Sequence, residues 1–225
     1  MARPLRIEFD GAWYHVMNRG GNHQNIYLAD SDYQNFLKLL NDCHQMWGLE
    51  IHAYCLMGNH VHFIITPSTE GGLARMFNTV HMRYAQYKNV ERRRLGHLWQ
   101  GRFYSCILSR THVLRAIRYV EMNPVRAKMV KKPWEYIWSS ARQHIKMEKM
   151  PIVRTDFHQD CTDTGLNSRN WKKYLLEEDF EMTEEMRIKT QKGLAIGAMN
   201  FIVTLEEKMN VILRELKAGR PKIGK

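Results

Sequence analysis

Residues 49–66 read LEIHAYCLMGNHVHFIIT, and this stretch decides the fold. In its first half Leu49, Ile51, Ala53, Cys55 and Met57 alternate with other residues, the period of a strand. Gly58-Asn59 is a two-residue hairpin signal. In the second half Val61, Phe63 and Ile65 share one face, and His60, His62 and Ile64 share the other. A two-residue connection puts His62 on the same side as Cys55, and a slip of one residue would change that neighbour.

Working outward, residues 12–19 are rich in β-formers and end at Gly20-Gly21, which predicts a strand. Asp30-Ser31 offers an N-cap, and Tyr33, Phe36, Leu37, Leu40 and Trp47 recur at helical spacing before Gly48. A second helix follows Gly71-Gly72, with Leu73, Met76, Phe77, Val80, Tyr84 and Tyr87 along one stripe. The chain turns basic at Glu91–Arg94, and residues 97–108 read as a strand or a bent pair. A third helix over about 111–122 meets Pro124. The order β-α-β-β-α-β is that of an α+β, ferredoxin-like antiparallel sheet with packed helices. Beyond residue 133, Trp134, Tyr136, Ile137 and Trp138 suggest an anchored segment, and residues 150–168 look like loop. Helices are expected at about 169–190 and 197–217, before a basic tail. The chain therefore divides into a core, 1–145, and a helical extension with a basic C-terminal tail, 146–225.

Lys and Arg total 34 against 23 Asp and Glu, a formal charge of +11. A field of that sign attracts polyanions, nucleic acid first. No run approaches the roughly 20 apolar residues of a spanning helix, so no membrane partner is expected. The first residues, Met1 to Arg6, offer no apolar stretch to serve as a signal peptide, so none is expected, and the four cysteines (Cys43, Cys55, Cys106, Cys161) form no C-x-x-C pair. Reduced thiols in a cytoplasmic, nucleoid-associated protein are the expectation.

His60 and His62, two apart on a strand, can converge on one divalent ion that polarises a phosphate. An isolated His-x-His is more often two incidental histidines. On the third helix Val113, Ala116, Ile117 and Val120 form the apolar stripe, with Tyr119 off it and Asn123 four residues later. A phenol there can be aimed at a metal-bound phosphate, and Asn123 can add an oxygen ligand. Most of the ten tyrosines should be packing residues, and Asn123 before Pro124 also reads as a cap. Magnesium and manganese both suit oxygen donors combined with imidazole. Arg19, Arg83, Arg92, Arg93, Arg94, Arg102, Arg118 and Arg126, near Trp99 and Phe103, can supply a cationic track and stacking faces for single-stranded DNA. Any one of them alone is more often a solvated charge, and Trp99 and Phe103 are also ordinary core candidates.

Four stretches carry a resemblance in order: Tyr14-His15-Val16 with Asn18-Arg19-Gly20; Met57 to His62; Gly96 to Phe103; and Arg118 to Ala127. Together they resemble the HUH-type single-tyrosine transposases, closest to the REP-associated branch. The likeness is strong to about residue 145 and continues weakly through Trp138-Ser139-Ser140 and Gly219-Arg220-Pro221-Lys222. It implies that His60 and His62 are the metal ligands, with Val61 the bulky residue between them. It further implies that Tyr119 is the nucleophile forming a 5′-phosphotyrosine link, and that Asn123 falls where relatives place a third ligand. The implied substrate is a DNA hairpin with adjoining single-stranded DNA, contacted in part by Arg220 and Lys222. Gly58 stands where many relatives have proline, and the tail is less densely basic than theirs. Two other classes compete: a non-catalytic nucleic-acid-binding module on the same sheet, and a metallo-hydrolase that uses metal-bound water. Monomer and homodimer, with the tyrosine serving its own or the partner's histidines, both stay open.

Overall fold

The computed structural model describes residues 7–148, 152–154 and 170–215. Four strands and two helices build the core in chain order: β1 Trp13–Arg19, α1 Asp30–His44, β2 Leu49–Met57, β3 His60–Pro67, α2 Gly72–Glu91 and β4 Tyr104–Leu108. β1, β2, β3 and β4 pair antiparallel in the order β2-β3-β1-β4, the ferredoxin-like arrangement expected from the alternation. Gly58-Asn59 is indeed a two-residue connection, so Cys55 pairs with His62 and Met57 with His60.

Alternation gives the sheet two apolar faces. Tyr14, Val16, Val61, Phe63 and Ile65 pack under α1 and α2. Ala53, Cys55, Ile64, Cys106 and Leu108 face α3, Val113–Glu121, which buries Val113, Ala116, Ile117 and Val120 against them. β2 departs from the expected single alternation. A bulge between Ile51 and Ala53 shifts the register, so Leu49 and Ile51 join the α1–α2 side while Ala53, Cys55 and Met57 stay on the α3 side. Residues 97–103, expected as strand, form a loop with a single bridge from Trp99 to Gly20. Trp99 and Phe103 are buried there, and the Trp99 indole donates to the His81 carbonyl at 3.0 Å. They are core side chains rather than stacking faces for bases.

After α3 come α4 Asn123–Arg126, α5 Ala141–His144 and α6 Trp171–Leu175. The expected anchored segment lies along the β2 edge. Leu56 N–H donates to the Trp138 carbonyl, Ser140 N–H to Tyr54, and the Tyr136 hydroxyl to Leu56. It covers backbone groups that an open edge would expose. The long helix expected over 169–190 is interrupted. Asp179 caps a new helix, α7 Phe180–Lys192, by accepting from Met182 N–H at 3.1 Å. Gly193, at φ 69°, ends α7. The extension is not helical throughout: β5, Ala195–Ile196, adds a parallel strand beside β4 before α8, Met199–Met209. Arg220 and Lys222, the expected tail contacts, lie outside the described residues. Among the described residues no helix is long and apolar enough to cross a membrane.

Candidate active site

Cross-strand pairing collects the site. Met17 faces His62 and Arg19 faces His60 across the β1–β3 ladder, so His15, Met17 and Arg19 share the histidine face. α3 crosses that face and delivers Tyr119, whose ring centroid lies 5.8 Å from that of His62 and 5.6 Å from that of His15, both edge-on. The His60 and His62 rings are 5.0 Å apart. α7 closes the remaining side with Thr183, Met186, Arg187, Thr190 and Gln191. The open cleft between these elements measures about 440 Å³, with Arg19, Arg126 and Arg187 in its walls and no carboxylate among its lining residues. Such a cavity favours a polyanion.

His60 Nδ1 lies 2.6 Å from Asn59 Oδ1. An amide oxygen only accepts, so the imidazole carries its proton on Nδ1 and keeps a lone pair on Nε2. His62 Nδ1 lies 2.9 Å from His15 Nε2, which leaves His62 Nε2 unengaged by that bond. Burial lowers the His60 pKa from 6.5 to about 4 and His15 to about 3, and it holds His62 well below the usual range. All three are therefore neutral near pH 7, the form that ligates metal. Asn123 lines the same cavity, but its amide nitrogen donates to the Tyr119 and Val120 carbonyls, so Oδ1 is the atom it can offer an ion. Among the described residues no group of three His, Cys, Asp or Glu side chains forms a cage. Two imidazole nitrogens beside open volume nevertheless fit a divalent cation that takes its other ligands from phosphate, amide and water.

Tyr119 is buried, and burial raises its pKa, while Arg126 and Arg187 pull it down. The expected arginines separate by position. Arg19 and Arg126 line the cavity. Arg102 borders a groove between α2 and the 96–103 loop, and Arg83 is exposed on α2. Arg92 and Arg94 bond to the Asn25 carbonyl and to Gln24, tying the end of α2 to the loop after β1. Arg118 has another engagement: it pairs with Asp179 and Glu177 and lies over the Tyr174 ring, 4.3 Å from its centroid. Its charge docks α7 instead of facing the cavity. Sequence reading did not single out His15 and the α7 residues as site residues. The signals for His15 are its place in the Tyr14-His15-Val16 stretch and its even spacing from Arg19, which puts both on one side of β1.

A ferredoxin-like sheet that holds two strand histidines beside a helix tyrosine is the arrangement of the HUH-type single-tyrosine enzymes. Residues 8–123, just over half of the chain, match the family described as IS200-like transposases, and the protein belongs to that family. A comparison with curated proteins finds no match. Among solved structures, a REP-associated tyrosine transposase bound to a REP hairpin is 19% identical, with a TM-score of 0.56 over 74% of this chain and 97% of its own. A protein from Deinococcus radiodurans, described as a transposase, is 16% identical, with a TM-score of 0.37 over 57% of this chain and 92% of its own. The first supports the fold.

Proposed function

We propose that this transposase cleaves and rejoins single-stranded DNA through a covalent link to Tyr119, acting on hairpin-forming repeat elements. The observation that carries the reading is the Tyr119 phenol packed edge-on to His62 in a cavity walled by arginines. Arg19, Arg126 and Arg187 bind the backbone and hold the scissile phosphate against Tyr119. The Tyr119 oxygen forms a bond to phosphorus as the bond to the 3′ oxygen breaks. The phenol proton leaves to water in the cavity, and the departing oxygen takes up a proton as a 3′-hydroxyl. A second 3′-hydroxyl reverses the attack and joins the strands. A magnesium or manganese ion held by His60 and His62, with Asn123 lining the same space, supplies Lewis-acid polarisation of the phosphate when bound. The hairpin substrate rests on the sequence resemblance and on the hairpin bound by the structural relative.

The test is covalent trapping of labelled single-stranded hairpin DNA with manganese on a denaturing gel. A protease-sensitive adduct that vanishes in Tyr119→Phe and in His60→Ala supports the mechanism. Cleavage without an adduct makes water the nucleophile, and tight binding without cleavage makes the protein a binding module.

A further inference from the structure

We infer that Thr190 and His15 position His62, through a directional hydrogen-bond relay that fixes which of its nitrogens carries the proton. The inference rests on the metal-site reading above. His15 Nε2 lies 2.9 Å from His62 Nδ1, and His15 Nδ1 lies 2.7 Å from Thr190 Oγ1. All three side chains are buried. A bond between two neutral imidazoles needs one N–H and one lone pair, so the chain can run in only two directions.

In one direction His62 Nδ1–H donates to His15 Nε2 and His15 Nδ1–H donates to Thr190 Oγ1, which leaves a lone pair on His62 Nε2. In the other, His62 carries its proton on Nε2. The cavity decides between them. Arg19, Arg126 and Arg187 line it and no acidic side chain does, so a lone pair turned towards it is favoured over an N–H dipole. Thr190 accepts easily: its oxygen has two lone pairs, and its contact with Cys106 Sγ at 3.2 Å is compatible in either sense. The relay then matches His60, whose Nδ1–H is held by Asn59, and both histidines offer Nε2 to the same space.

The consequence concerns the extension. Thr190 lies on α7, outside the residues that match the family. The segment that walls the cavity therefore also sets the ligand geometry, as partners beyond the first ligands do at other metal sites. In Thr190→Val, His15 Nδ1–H faces a methyl group. The reversed relay leaves only an unpaired lone pair, so His62 shifts to the Nε2–H form.

The experiment is a long-range ¹⁵N–¹H spectrum of the metal-free protein, which reads the tautomer of each histidine, together with calorimetric titration of Mn²⁺. The wild type is expected to show His62 protonated on Nδ1. Thr190→Val should show it on Nε2 and bind Mn²⁺ about 10- to 100-fold more weakly, and Thr190→Ser should restore both. Wild-type His62 protonated on Nε2, or a Thr190→Val protein with unchanged tautomer and affinity, overturns the relay. The tautomer is read without DNA, so a correct relay in a protein that forms no adduct would fault the cleavage mechanism alone.

Discussion

The Arg126 guanidinium lies over the ring of Tyr119, 4.4 Å from its centroid, and its Nη2 donates to the Tyr119 backbone carbonyl. The helix that carries the phenol and the short α4 that follows it thus hold a cation against the Tyr119 ring. Burial works against ionisation of Tyr119, and the positive charge of Arg126 is the main influence opposing it. Arg126→Gln should slow cleavage by about 100-fold, the scale for losing one charge-stabilising donor. It should also move the alkaline limb of the pH–rate profile upward, with Arg126→Lys intermediate. A rate profile unchanged in shape would remove Arg126 from the ionisation of Tyr119.

Arg118 and Arg126 should separate cleanly in binding assays. Arg118 pairs with Asp179, whose carboxyl the Arg115 and Arg118 guanidiniums hold far below the usual range. Asp179 also caps α7. Asp179→Ala should cost about 2 kcal/mol from lost charged hydrogen bonds and the cap, read as a lower melting temperature and easier proteolysis of the extension. Arg118→Gln should likewise lower stability while leaving the salt dependence of DNA binding unchanged. Arg126→Gln should reduce that slope by about one phosphate contact.

The two arginines also show how far sequence could reach. His60 and His62 were legible from the period of two along a strand, and Tyr119 from its place off the apolar stripe of a helix. Arg118 and Arg126 look equivalent in sequence. Arg118 projects to the α7 side, whereas α4, beginning at Asn123-Pro124, brings Arg126 back over Tyr119. His15 and Thr190 stayed hidden because their roles come from pairing. His15 reaches His62 from 47 residues away and Thr190 from 175 residues away. No local period encodes such contacts. The bulge between Ile51 and Ala53 was invisible for a related reason: both of its flanks are apolar, so alternation looked continuous.

Acid should loosen this site before it affects the rest. In the folded chain burial lowers the His15 pKa from 6.5 to about 3, with Arg126 adding to it, and lowers His60 to about 4. The unfolded chain therefore binds protons that the folded chain refuses. Stability is full above pH 6.5 and falls as pH drops from there towards about 3. Urea midpoints measured from pH 8 to 4 with chelator present should fall. His15→Leu should flatten the slope by about 1.4 kcal/mol per pH unit, one proton's worth. An unchanged slope would mean that His15 is not kept neutral by the fold.

Within one chain α3 sets Tyr119 beside His62, and burial against the sheet fastens the helix there. Val113, Ile117 and Val120 are buried against the sheet, and each costs about 1.5–3 kcal/mol to expose. At the end of α3, Glu121 is buried and accepts from the Ser140 hydroxyl at 2.6 Å and the Trp171 indole at 3.1 Å, with His144 Nδ1 against the same carboxylate. Only Ser109–His112 joins α3 to β4, and Ser109 N–H is bonded to Ile196. Lending Tyr119 to a second molecule would break all of these contacts at once. Mixing Tyr119→Phe protein with His60→Ala protein should therefore yield no adduct at any ratio, although each folds as judged by circular dichroism. Adduct restored in the mixture, growing with total protein concentration, would show that the tyrosine acts on a partner's histidines.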